Sequence, residues 1–202
     1  MLLTTYYGLT IPQIIGISIA VIALAFVFVL IRDKINRKKA DTGEDKQKVW
    51  DILQRTVPEV ENYTKAYADW EWETYQGRQT TTTYWYYAIA FNGERLYIVP
   101  LSNKTGELTY SDCYCIEKSS LGIVNTKQGA NWVELYDKSQ KEILSLKVMG
   151  ENLKDDKYHP VNIIQPEAET AFIAWKDGWM KEVNDANNVT ATGKMKKPLK
   201  KK

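Results

Sequence analysis

The pattern of apolar and polar positions divides the chain into three stretches. The first, Leu9 to Ile31, reads LTIPQIIGISIAVIALAFVFVLI and contains no charged side chain over 23 residues. As a helix it would extend about 35 Å, against about 30 Å of bilayer hydrocarbon. Lipid offers the backbone no hydrogen-bond partners, so a membrane-spanning helix is expected here. Pro12 falls near the first turn, where its missing N–H matters little. A cleaved signal peptide fits this stretch less well. No Lys or Arg precedes it, it is longer than a signal core, and Arg32 follows in place of a small-residue cleavage site.

The second stretch switches period twice. ADTGED at 40–45 reads as a linker or helix start, so 32–45 is expected to be a basic flank and linker. In KQKVWDILQRTV at 46–57, Val49, Trp50, Ile52, Leu53 and Val57 recur at helical spacing. Beyond Pro58, Val60, Tyr63 and Tyr67 extend that pattern, giving a helical segment over 46–68. From residue 69 a two-residue period takes over. Trp70, Trp72 and Thr74 alternate with Asp69, Glu71 and Glu73. Further strands are predicted at 80–91, 95–101, 108–117, 121–126, 131–137 and 142–149, each rich in β-branched or aromatic residues. Turn signals separate them, with Asn92-Gly93 the sharpest.

The third stretch begins with a polar loop at 151–165. Pro166-Glu167 then opens a helix in the favoured way, with proline early and acids in the first turn. Ala168, Ala171, Phe172, Trp175, Trp179 and Val183 form one apolar face, ending near Asn184. Phe172, Trp175 and Trp179 are its expected core residues. Residues 185–202 turn polar and basic and are expected to be a disordered tail.

Charge adds orientation. Residues 1–8 carry none, whereas 32–39 hold Arg32, Lys34, Arg37, Lys38 and Lys39 against Asp33. The positive-inside rule places the short N-terminus outside and the rest in the cytoplasm, as a single-pass cell-membrane protein. The whole chain carries +2; setting aside +4 from residues 1–39 and +6 from the lysines of 194–202 leaves −8 for 40–193. An acidic domain argues against nucleic acid as a partner. The lysine tail suits either a solubilising terminus or attraction to anionic headgroups.

Seven short antiparallel strands followed by an amphipathic helix carrying Trp175 or Trp179 define an expected fold. It is mainly β, a barrel or sandwich capped by a C-terminal helix and preceded by one transmembrane helix. Over 69–184 this pattern resembles the pleckstrin-homology-like superfold, including its GRAM-like and bacterial variants. The resemblance implies a barrel whose end is plugged by the helix. Phosphoinositide-binding members carry several basic residues around the first hairpin. Here TYQGRQTTTT offers only Arg78, so that site is not carried over.

Candidate chemistry is sparse. His159, the only histidine, sits in a polar loop without a nucleophile beside it and reads as an exposed loop residue. Cys113 and Cys115 share a strand face but lack the paired knuckles of structural zinc, so packed thiols are expected. No cofactor or metal is expected, and no catalytic residue. Along 84–91, alternation sends Trp85, Tyr87, Ile89 and Phe91 to one face. Tyr84 and Tyr86 go to the other, as either a partner surface or packed cross-strand neighbours. Gly16, Ala20 and Ala23 line one face of the anchor, where small residues permit homodimer contact. The expected function is a membrane-anchored cytoplasmic interaction or scaffolding module without catalytic activity, meeting another membrane or membrane-proximal protein. The alternatives are a lipid or small-ligand binder and, with inverted topology, an extracytoplasmic aromatic-lined binding domain.

Overall fold

The structure, a computed structural model, describes residues 10–77, 79–102, 107–126, 129–153, 159 and 161–189. The N-terminus at 1–8 and residues 190–202 of the tail lie outside the described residues.

Helix α1 runs Ile11–Asp41. Thr10 caps it, its backbone N–H donating to Gln13 Oε1 at 2.9 Å. By length and composition α1 is able to cross a membrane, and its apolar window is wholly exposed. The helix continues through the basic flank to Asp41, where a linker is expected from the sequence. Its last turns contact the domain. Asn36 and Ala40 are buried. Asn36 Nδ2 donates to the Leu153 carbonyl at 3.2 Å, and Arg37 makes a two-point pair with Glu151 at 3.2 and 2.9 Å.

Gly43, at φ +72°, ends that run and opens helix α2, Glu44–Thr56. A left-handed residue here suits glycine and turns the chain back. Helix α2 then lies on the domain, burying Val49, Ile52 and Leu53. The helical continuation expected as far as Tyr67 does not form. One 3₁₀ turn, Val60–Asn62, is followed directly by strand β1, Thr64–Gln76. Three residues spaced for a helix did not outweigh thirteen residues of pairing with the next strand.

The strands are β1, β2 (Gln79–Phe91), β3 (Arg95–Ser102), β4 (Thr109–Tyr110), β5 (Tyr114–Glu117), β6 (Leu121–Asn125), β7 (Trp132–Asp137) and β8 (Glu142–Lys147). They form one antiparallel sheet of order β4-β3-β2-β1-β8-β7-β6, with β5 also on β3. There are eight strands where seven are expected, because residues 111–113 interrupt the fourth. Among the described residues no pairing joins β6 to β4 or β5, so the sheet is open and not a closed barrel. Within the expected polar loop, β9 (Glu151–Asn152) and β10 (Ile163–Ile164) make a small separate ladder.

Helix α3, Pro166–Ala186, packs on one face of the sheet. Phe172, Trp175 and Trp179 are buried there with Ala66, Ala68, Ile89 and Phe91. The two indoles donate to the β2–β3 turn: Trp175 Nε1 to the Asn92 carbonyl at 2.8 Å, Trp179 Nε1 to the Gly93 carbonyl at 2.9 Å. A second core lies on the opposite face, where α2 packs on Tyr67, Tyr86, Ala88 and Ala90. The central strands are therefore buried on both sides at one end, and alanine recurs where a helix crosses them closely.

Candidate functional site

Strand alternation carries Ala66, Ala68, Trp70 and Trp72 to the α3 face of β1. The two alanines lie under α3. Farther along, the helix no longer covers that face and the residues become large. Trp70 stands opposite Trp85 on β2. Tyr87, Tyr114 and Ile143 continue the same surface from β2, β5 and β8, and together these side chains line an open groove of about 460 Å³. Trp72, Trp85, Tyr114 and Ile143 are 54%, 39%, 39% and 42% exposed, an apolar cluster left in water.

The groove exists because the sheet splits. Strand β1 pairs with β8 only at Asp69↔Lys147, whereas β8 stays paired with β7 along its length. Beyond that fork β1 follows β2 outward as a long hairpin. The fork is pinned by Trp70 packed edge-on against Trp132, centroids 4.3 Å apart, and by Asp69. Asp69 accepts from Asn152 Nδ2 at 3.2 Å and lies 3.8 Å from Lys147 Nζ. Alternation places Asp69 on one polar face with Glu71 and Glu73. The structure buries it, since α2 and the β9–β10 ladder cover that end of the face.

Electrostatically the groove is neutral at its floor and acidic at its margin. Burial, then the neighbouring Tyr114, pushes the Tyr87 hydroxyl up to about 12. Burial also raises that of Tyr114. Both phenols therefore stay protonated near neutral pH. Glu142 lines the rim and accepts from Ser145 Oγ at 2.6 Å. Glu71 and Glu73 stand exposed on the other face of β1.

The residues singled out from the sequence are distributed differently. Tyr84 and Tyr86 do not form an open partner surface. Tyr86 is buried and Tyr84 half-buried, stacked on one another with centroids 6.4 Å apart. His159, expected in solvent, is buried edge-on against both rings at 5.1 and 5.8 Å. Cys113 precedes β5 and is half-buried; Cys115 on β5 is exposed. Burial raises both thiols. Among the described residues no three His, Cys, Asp or Glu side chains converge as a metal site. Gly16, Ala20 and Ala23 lie exposed along α1, and of the basic flank Arg37 is engaged by Glu151. The open aromatic surface is thus the Trp85–Tyr87 face, which alternation groups with Ile89 and Phe91. Its sequence signal was the Trp-x-Trp alternation of 70–72. That signal shows the face and not whether α3 reaches it.

No protein-family model matches this chain, and no curated protein matches it in sequence.

Proposed function

We propose that this protein is an interaction module held at a membrane by α1, with the aromatic groove as its recognition surface. The observation that carries this reading is the exposed cluster of Trp72, Trp85, Tyr114 and Ile143. Large aromatic residues left in water at considerable cost are the usual anchors of partner binding. A pleckstrin-homology-like assignment is supported by strand order. With β4 and β5 counted as one interrupted strand, seven strands follow a meander in which β1 meets β8 at Asp69↔Lys147, and a terminal helix packs on one face of the open sheet. The flank of Arg32, Lys34, Lys38 and Lys39 favours a cytoplasmic domain. Gly16, Ala20 and Ala23 suit pairing of two anchors. The reading assigns no catalytic role.

A second reading, a small-ligand or lipid site, draws on the groove volume of about 460 Å³, which suits a compact ligand. Native mass spectrometry of the purified full chain would reveal a retained small molecule.

The test is crosslinking in membranes with the full chain and with a Trp72→Ala/Trp85→Ala variant. Both indoles are substantially exposed, so the variant should fold. A protein captured by the full chain and lost at least tenfold from the variant supports the reading. Equal capture by both would move recognition away from the groove.

A further inference from the structure

The groove has a second property besides its aromatic floor: it runs along an unpaired strand edge. Among the described residues, 70–76 of β1 pair only with β2 beyond Asp69, so alternate backbone N–H and C=O groups turn away from the sheet. On the other bank, β8 pairs with β7 over 142–147 and meets β1 only at Lys147. An edge of seven residues beside an apolar trough is a template for one more strand.

The two faces of β1 specify what that strand carries. Side chains on its groove face would meet Trp70, Trp72, Trp85 and Ile143, and so should be apolar. Side chains on its other face would stand beside Glu71 and Glu73, with Glu142 at the far rim, and so should be basic. A second copy of this β1 is a poor occupant. Antiparallel edge pairing would bring its own Glu71 and Glu73 against the same residues, and like charges on adjacent strands repel. The net −8 over residues 40–193 adds to that repulsion.

We propose that the site binds an extended peptide segment of another protein, alternating apolar and basic residues, which adds as a strand to the free edge of β1. This rests on the groove being the recognition surface and specifies the partner. Backbone pairing to β1 supplies much of the affinity, the aromatic floor selects the inward residues, and the glutamates select the outward ones.

The test uses the full chain in phosphatidylcholine nanodiscs, with empty discs as the blank. The probe is a fluorescent, end-blocked eight-residue peptide alternating valine and lysine. Binding should weaken at least tenfold when valine–glutamate replaces valine–lysine. It should weaken at least tenfold when backbone nitrogens of one parity, odd or even, are N-methylated. Glu71→Lys with Glu73→Lys should weaken the lysine peptide and strengthen the glutamate peptide. Absence of binding overturns the proposal, as does binding indifferent to both N-methylation patterns or to the sign of the peptide charge. If the peptide fails while capture in membranes still depends on Trp72 and Trp85, strand addition falls and the groove reading stands. If neither depends on the tryptophans, both fall.

Discussion

Gln165 does with one side chain what a neighbouring strand does elsewhere. Its Oε1 accepts from the Tyr67 N–H at 2.9 Å, and its Nε2 donates to the carbonyls of Tyr67 and Met149 at 2.8 and 2.9 Å. It is 1% exposed, so none of these groups has water as a substitute. Gln165→Leu fills similar volume but orphans them, at about 1–3 kcal/mol for a buried group. Equilibrium unfolding in detergent should show a loss of about 3 kcal/mol. Gly122 is constrained by space rather than by dihedral angle. It sits at the β6 irregularity between Leu121 and Ile123, where a Cβ would lie 2.4 Å from the Asp137 carbonyl oxygen. The obstacle is backbone and has nowhere to go. Gly122→Ala should cost about 1–3 kcal/mol by overpacking, read in the same experiment.

At the scale of elements, α1 and the domain are joined without a slack linker. Helical backbone continues through Lys38 and Lys39, and Asn36, Arg37 and Ala40 hold its end to the β9–β10 region. The exposed Arg37–Glu151 pair contributes little by itself. The buried Ala40 is the more telling contact. Ala40→Glu places a charge at a buried position and should release the helix end while α2 and the sheet stay folded. Trypsin cleavage at Lys38 and Lys39 should then accelerate at least fivefold, with an unchanged far-ultraviolet spectrum from the sheet. The far end of α3 is fastened as firmly. Asn184 donates to the Val124 carbonyl at 2.8 Å and accepts its N–H at 3.0 Å, acting as a short strand mimic for β6.

The whole molecule is a two-sided sheet with one helix layer on each face and a groove where the inner layer ends. Phenols wholly or partly withdrawn from water make stability fall at alkaline pH. Tyr67, Tyr87 and Tyr114 all titrate above the ordinary 10, chiefly through burial, with Tyr87 at about 12. The folded state therefore keeps protons that the unfolded chain releases. That stabilisation is complete below pH 10 and is lost as pH rises through about 12. Unfolding midpoints measured from pH 8 to 12, alongside phenolate absorbance, should decline above 10. Tyr87→Phe should flatten the decline in its upper part.

Elements with a local signal are legible in the amino-acid sequence. The long apolar helix, the Asn92-Gly93 turn, the two-residue period along β1 and β2, and the apolar stripe of Phe172, Trp175 and Trp179 are all written in neighbouring residues. Whatever depends on coverage emerges only when distant segments pack together. Alternation shows that Tyr86 and Trp85 point to opposite faces, but burial depends on where α2, His159 and α3 come to rest. Those contacts close over Tyr86 and stop short of Trp85. Asp69 reads as one more acid in an alternating strand until the chain returns near residue 152 to cover it. The fork between β1 and β8 likewise has no local signature. It arises because a strand paired along its whole length with β2 meets β8 at a single residue, and only the folded sheet contains both constraints.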